Sequence, residues 1–246
     1  MSGQLILSVG MPRAGSGWYY NLTHDLVVAA GYQDARAIRK RYRLQRLLTE
    51  VNCNIGSLGL HRVLPVMIPV NLGNTFAVKT HAGLEPYALS LIRRGVIRPT
   101  YIYRDPRAAL LSAYEYGQRG FEQDRENAFS HLTTIDSAIQ FMQGYVRIWR
   151  QWMDCGQASH VRFENFLADY PAEALRLVNF LGLDPGKQSI QDIVEKYKPQ
   201  RAQEIDRGIH FNQGKSERFR QVLTSDQLAA CNQAFAGDLE AMGYQL

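Results

Sequence analysis

The chain alternates short apolar runs with longer segments in which apolar residues recur every three or four positions. The runs have the length and composition of buried β-strands, and they lie at Leu5–Val9, Phe76–Lys79, Thr100–Arg104 and His160–Phe163. Because helical segments separate these strands, the pattern predicts a single α/β domain over residues 1–246. We expect a mainly parallel central sheet with helices on both faces.

Glycine, proline and capping residues set the limits of the predicted helices. Glycines stand where several amphipathic patterns stop, and Thr224 with Gln227 has the spacing of a capping box. Residues 52–75 show no clear period, so we expect a loop there that lines a pocket. The predicted helices are Gly17–Ala30, Pro86–Arg94, Pro106–Gly117, Ile135–Met153, Pro171–Leu181 and one from Thr224 to near Gly243.

The positive charge is concentrated in one stretch. The segment from Arg36 to Arg46 contains six basic residues and no acidic residue. The positive charge of this segment exceeds the net charge of the whole chain, which is +5. Apolar positions such as Ile38 and Tyr42, with Leu44, Leu47 and Leu48, suit an amphipathic helix. One interpretation of the stretch is a solvated helix face. The alternative is a surface that binds an acidic acceptor, a membrane or nucleic acid.

Cysteine content and hydropathy bear on the compartment. Cys53, Cys155 and Cys231 are odd in number and form no CxxC pair, which argues against a disulfide framework or a zinc site. The N-terminal apolar run is too short for a signal peptide, and no apolar run has the length of a transmembrane helix. We therefore expect a cytoplasmic protein.

The loop after the first strand has the form of an anion-binding loop. In "GMPRAGSG" the glycine spacing of a Walker A loop is present, but Ser16 replaces its lysine and Arg13 supplies the cation. Backbone amides of Gly15, Ser16 and Gly17 at a helix start would attract an anion. By itself, the spacing fits an ordinary strand–helix turn equally well.

Two further segments resemble known motifs. Lys79-Thr80-His81 follows the second strand, and Arg104 is followed eight residues later by Ser112. With "PRAGSGW", which is similar to the motif PKSGTTW, these segments resemble the cytosolic sulfotransferase family in the same order along the chain. The stretch "HVRFENFLADYPAEALRLVNFLGL" is similar to a strand–turn–helix of that family, so the resemblance covers most of the chain.

The resemblance implies a P-loop-like fold and a reaction. The family transfers a sulfuryl group from 3′-phosphoadenosine 5′-phosphosulfate (PAPS) to a hydroxyl or an amine, and fixed cations take the place of a metal. His81 would be the general base, Arg13 would stabilise the leaving oxygen, and Lys79 would contact the sulfuryl oxygens. Arg104 and Ser112 would bind the 3′-phosphate. The implied cofactor-binding set is Arg13, Ala14, Gly15, Ser16, Gly17, Trp18, Arg104, Ser112, Phe163, Gln213 and Gly214, with Trp18 packed on the adenine.

Several positions depart from the family pattern. Asn212-Gln213-Gly214 stands where the family has Arg-Lys-Gly, so Lys215 or Arg218 would have to substitute. Gly17 replaces a threonine and Phe163 replaces a tyrosine. These losses predict weaker cofactor binding rather than another reaction.

The resemblance leaves the acceptor open. Residues 36–75 and 117–135 would form the pocket for a hydroxyl of a small molecule, lipid or sugar, and the basic stretch would suit an anionic acceptor. We expect no nucleic-acid partner, and an oligomer is compatible with the sequence. A P-loop nucleotide kinase and a non-catalytic nucleotide- or anion-binding protein are the alternatives.

Overall fold

The centre of the molecule is a parallel four-stranded sheet, in a computed structural model that describes residues 3–202 and 217–246. The strands are β1 (Leu5–Gly10), β2 (Phe76–Thr80), β3 (Ile97–Tyr103) and β4 (Ser159–Arg162). Their order is β2-β1-β3-β4, and every pair is parallel. Helices flank the sheet, so the predicted α/β class and the parallel sheet are confirmed.

The six helices predicted by range are present in the predicted order with shifted ends, and further helices that were not given ranges lie between them. The predicted helix at Pro106 continues to Glu122, and the last one ends at Leu239. The helices are α1 (Ser16–Ala29), α2 (Ala35–Arg41), α3 (Leu60–Asn71), α4 (Pro86–Arg93), α5 (Pro106–Glu122), α6 (Ile135–Asp154), α7 (Phe163–Ala168), α8 (Tyr170–Phe180), α9 (Gln188–Lys196), α10 (Pro199–Ala202), α11 (Phe219–Val222) and α12 (Ser225–Leu239). None of these helices is long and apolar enough to cross a membrane.

The strand order creates a crevice at one end of the sheet. β1 lies between β2 and β3, with Leu5 opposite both Phe76 and Ile97. The chain passes from β1 to β2 on one side and then crosses to β3 on the other. Loops that follow strands on the two sides of such a switch point leave space for a ligand beyond the carboxyl ends of the strands. The segments after β1, β2 and β3 therefore meet at one place.

The prediction of a loop over residues 52–75 is wrong for its second half, which forms α3. Pro65 and Pro69 lie inside this helix, and each lacks a backbone hydrogen-bond donor. Val63, Val66 and Val70 face inward and are buried, and their packing stabilises the helix despite the hydrogen bonds that the prolines remove. The first half remains irregular.

The basic stretch forms a shorter helix than its apolar pattern predicts. Asp34 caps α2 by accepting hydrogen bonds from the backbone nitrogens of Arg36 at 2.6 Å and Ala37 at 3.1 Å. Arg43 then has a φ of 56°, which ends helical geometry. Leu44 and Leu48 are buried, but they lie in the turn that follows α2 and not on the face of a helix.

Candidate active site

The loop after β1 turns sharply into α1. A Cβ atom on Gly10 would lie 2.6 Å from the Cβ atom of Ser16, so only glycine permits this approach. Arg13 and Gly15 have φ values of 63° and 74°, both in the left-handed region. These turns direct the start of α1 toward the crevice at the carboxyl end of β1.

The N-terminus of α1 has the properties of an anion site. Its N-cap, Gly15, makes no side-chain cap, and the first turn contains no acidic residue. The first amides of a helix have no partner within it, so those of Ser16 and Gly17 can receive an anion. The amide of Ala14 is engaged, because it donates to the carbonyl oxygen of Met11 at 3.2 Å. Ala14 is also fully buried, and its predicted cofactor contact stays a prediction.

Arg13 is held from two sides. Its Nε donates to Oγ of Ser112 at 3.2 Å, and its guanidinium lies 4.6 Å from the ring centre of Tyr116. Burial lowers the pKa of Arg13 to about 10. The arginine stays charged at neutral pH.

Lys79 lies at the end of β2 and is also buried. Burial, with a smaller effect of the positive charge on Arg13, lowers the pKa of Lys79 to about 8. Within residues 3–202 and 217–246, no carboxylate forms an ion pair with either Lys79 or Arg13. Lys79 is buried and Arg13 is partly buried, and two neighbouring cations without a carboxylate partner favour an anionic ligand.

His81 has a defined tautomer. Its Nδ1 lies 2.5 Å from the carbonyl oxygen of Gly10, which can only accept a hydrogen bond, so Nδ1 carries the proton. Nε2 then has a free lone pair. Burial and the charge of Lys79 lower the pKa of His81 to about 3, against the opposing effect of the bond to Gly10. The imidazole is neutral and can accept a proton at Nε2.

Arg104 and Phe163 complete the crevice from β3 and the start of α7. The guanidinium of Arg104 lies 4.7 Å from the ring centre of Phe163, and its Nη1 donates to the carbonyl oxygen of Arg13 at 3.4 Å. Burial lowers the pKa of Arg104. The same phenyl ring leaves no room for a Cβ atom at Gly15, which would lie 2.8 Å away.

Two adjoining cavities collect these groups. The first, of about 420 Å³, is lined by the anion loop and by most of the predicted catalytic and clamp residues. The second, of about 430 Å³, shares Arg104 and Ser112 with it and adds Arg218 and Glu115, which form an ion pair. The predicted residues that line the first cavity are Arg13, Gly15, Ser16, Gly17, Lys79, His81, Arg104, Ser112 and Phe163.

Trp18 packs among aromatic side chains. It has no exposed surface, its Nε1 donates to the carbonyl oxygen of Tyr197 at 2.9 Å, and its ring packs on Phe166 and Tyr170. It belongs to the core in this structure, and an adenine contact would require this packing to open. Gln213, Gly214 and the candidate substitute Lys215 lie outside the described residues.

The cavity also contains residues that the sequence analysis missed. Asn52 and Asn54 reach it from the irregular segment before α3, and Phe129 reaches it from the predicted acceptor segment 117–135. Phe141 and Tyr145 come from α6, one helical turn apart, with ring centres 4.9 Å apart. Their spacing on an amphipathic helix was a signal, but aromatic pairs at this spacing usually pack in a core.

The basic stretch does not reach the site. None of its six cations lines either cavity of the described residues. The role of this stretch toward an anionic acceptor therefore stays a prediction.

The parallel sheet, with cationic loops at its switch point, defines an α/β enzyme of the kind that binds nucleotide phosphates. A family comparison matches residues 4–243 to the sulfotransferase domain. The chain therefore belongs to the sulfotransferase family, as the motifs predict, and is a sulfotransferase. A search of the curated proteins finds no match.

Solved structures share the fold. The mouse sulfotransferase SULT7A1 complexed with PAP matches with a TM-score of 0.63 and 13% identity, over 97% of this chain and 85% of that one. Retinol dehydratase in complex with androsterone and inactive cofactor PAP matches with a TM-score of 0.60 and 15% identity, over 98% of this chain and 82% of that one. A second structure of retinol dehydratase, with retinol and PAP, has a TM-score of 0.60 at 15% identity and covers 100% of this chain and 83% of that one.

Proposed function

We propose that the chain, as one domain over residues 1–246, transfers a sulfuryl group from PAPS to a hydroxyl of a small-molecule, lipid or sugar acceptor. The observation that carries the proposal is the cavity where Arg13, Lys79, His81 and Arg104 meet at the start of α1. Fold relatives solved with PAP support the choice of cofactor.

The residues present fit a ligand with two separate anionic groups. The open amides of α1, Lys79 and Arg13 suit the 5′-phosphosulfate, because they lie together without a carboxylate partner. Arg104 and Ser112 suit the 3′-phosphate, and they lie where the second cavity begins. Arg218 borders that cavity too, so it can supply one of the two cations that the late motif lacks.

His81 is the proposed base. The bond to Gly10 leaves Nε2 as the acceptor for the proton of an acceptor hydroxyl, and the low pKa keeps the ring neutral before the acceptor binds. Bound PAPS supplies the sulfuryl group. Arg13 and Lys79 would stabilise the negative charge that develops around it, because their positions are fixed before the reaction.

The aromatic part of the cavity suits the carbon skeleton of the acceptor. The rings of Tyr116, Phe129, Phe141 and Tyr145 contact one another in that order, and the row begins at the guanidinium of Arg13. Such a row favours an alcohol with a flat or extended apolar part. Retinol and androsterone, in complexes of retinol dehydratase, are hydrophobic examples.

Calorimetry tests the cofactor. We expect 3′,5′-adenosine diphosphate to bind without magnesium, and Arg104→Ala to weaken its binding by about 2–3 kcal/mol. Adenosine 5′-phosphosulfate, which lacks the 3′-phosphate, should bind equally well to both proteins. Binding of ATP only with magnesium would instead support a nucleotide kinase. Transfer from labelled PAPS to a hydroxylated metabolite extract would then identify the acceptor, and binding without transfer would support a non-catalytic protein.

A further inference from the structure

Helix α3 exposes a continuous ridge of large aliphatic side chains. Leu60, Leu64, Ile68 and Leu72 follow one another at every fourth position, and they are 52%, 47%, 54% and 67% exposed. A step of four residues places side chains one above another on the same helix face. Single exposed apolar residues are common, whereas a contiguous ridge marks an interaction surface.

The ridge lies in a basic, acid-poor part of the chain. Between Ala35 and Leu84 there are eight lysines and arginines, and Glu50 is the only acidic residue. Six of the eight cations belong to the basic stretch, which lines neither cavity. Among them Arg36, Lys40, Arg41, Arg43 and Arg46 are exposed.

A hydrogen bond connects the two features. Nδ2 of Asn74 donates to Oη of Tyr42, which follows α2, at 3.1 Å, and to the carbonyl oxygen of Pro69 in α3, at 2.8 Å. The guanidinium of Arg41 lies 5.6 Å from the ring centre of Tyr42, so Arg41 lies near the C-terminal end of the ridge, and Arg43 follows Tyr42 in the chain. We call the four ridge residues and the exposed cations of the basic stretch the α2–α3 surface.

We propose that the α2–α3 surface docks on an anionic lipid bilayer. Aliphatic side chains on one face of a helix can enter the boundary between headgroups and acyl chains, while neighbouring arginines and lysines contact anionic headgroups. The inference is independent of the proposed sulfuryl transfer, because it uses none of the residues of the site.

Charge and composition favour a bilayer over a protein partner. In a two-fold dimer built on this surface, its cations would face their own copies and repel. The ridge contains only aliphatic side chains, whereas the centres of protein interfaces are enriched in aromatic residues. A fluid anionic surface matches both the positive charge and the aliphatic ridge.

Vesicle co-sedimentation of the full chain tests the proposal. We expect binding to phosphatidylcholine vesicles that contain phosphatidylserine, and much weaker binding to phosphatidylcholine alone. The ridge variant Leu64→Gln/Ile68→Gln and the cation variant Arg41→Gln/Arg43→Gln should each weaken binding at least about tenfold. Leu175→Gln, 47% exposed on α8, and Arg147→Gln, exposed on α6, are matched controls that should bind like the parent.

Three results would overturn the proposal. One is no binding to the mixed vesicles. Another is unchanged binding of the ridge variant, which would mean general charge attraction only. The third is a dimer in light scattering without vesicles that Leu64→Gln/Ile68→Gln abolishes, which would assign the ridge to a second copy. Unchanged thermal unfolding and affinity for 3′,5′-adenosine diphosphate would show that each variant is folded.

Discussion

Nε of Arg13 donates a hydrogen bond to Oγ of Ser112 at 3.2 Å, across 99 positions of the chain. The bond ties the loop after β1 to helix α5. In the proposed complex Arg13 serves the phosphosulfate and Ser112 serves the 3′-phosphate. The hydroxyl of Ser112 accepts from Arg13, so its own proton remains available to donate to a phosphate oxygen.

Ser112→Ala should therefore separate two nucleotides. Losing a hydroxyl donor to a phosphate should weaken binding of 3′,5′-adenosine diphosphate about tenfold, whereas binding of 5′-AMP, which has no 3′-phosphate, should not weaken. Titration calorimetry with both ligands measures this. Ser90→Ala, on the distant helix α4, is the control. Equal losses for the two nucleotides would mean that Ser112 acts on the loop and not on the 3′-phosphate.

Lys79 should take up a proton when the cofactor product binds. Its pKa of about 8 in the free protein means that most of the amine is neutral at pH 9. An anion beside the amine raises the pKa, so the bound state holds more protons than the free state. Calorimetry at pH 9 in buffers of different ionisation enthalpy should show uptake of up to about one proton. The uptake should disappear in Lys79→Met, and its persistence there would point to another group.

His81→Ala should remove the base and leave the nucleotide site intact. We expect turnover on an identified acceptor to fall by about two to four orders of magnitude, because a positioned general base contributes about that much. Affinity for 3′,5′-adenosine diphosphate should stay close to that of the parent. His61→Ala, exposed at the start of α3, is the control. Near-normal turnover of His81→Ala would exclude this assignment.

The low pKa of His81 also makes stability depend on pH. The folded-state pKa of about 3 lies below the ordinary value of 6.5. Between these two values the histidine is protonated in the unfolded chain and neutral in the folded chain. The free energy of unfolding should fall by up to about 2 kcal/mol from pH 7 to pH 5 through this group. Urea unfolding at both pH values should show a smaller difference for His81→Gln. An unchanged difference would mean that other groups dominate.

Glu115 should oppose nucleotide binding. Its carboxylate pairs with Arg218 at the second cavity, next to Arg104 and Ser112, where the 3′-phosphate is proposed to bind. Glu115→Gln removes a negative charge and releases Arg218, so affinity for 3′,5′-adenosine diphosphate should rise several-fold. Arg218→Gln should lower it. Opposite signs for these two variants are the diagnostic result, and a weaker complex with Glu115→Gln would contradict it.

The strands, the helix order and the motif residues could be predicted because they depend on local patterns. β1 and β2 are near-continuous apolar runs, which is typical of strands buried on both faces. Lys79 and His81 stand two residues apart at the end of β2, and both line the cavity.

Other features depend on distant partners. Helix α3 contains two prolines and is stabilised by packing, which its sequence pattern did not show. Helix α2 ends before Arg43, earlier than the pattern of the following leucines suggested. The burial of Trp18 depends on Tyr197, which lies 179 positions away. The aromatic pair Phe141 and Tyr145 could not be assigned to the cavity, because spacing alone does not show which residues face it.

The order of the strands also affects how the protein folds. Leu5 of β1 pairs with Phe76 and with Ile97, so neither side of the crevice exists until distant parts of the chain have met. Long-range parallel pairing slows folding, because loop entropy is lost before the contacts form. We therefore expect the crevice to assemble late in folding. A nucleotide that binds only the complete crevice should slow unfolding and leave the refolding rate almost unchanged. Such a nucleotide stabilises the folded protein and does not speed its folding.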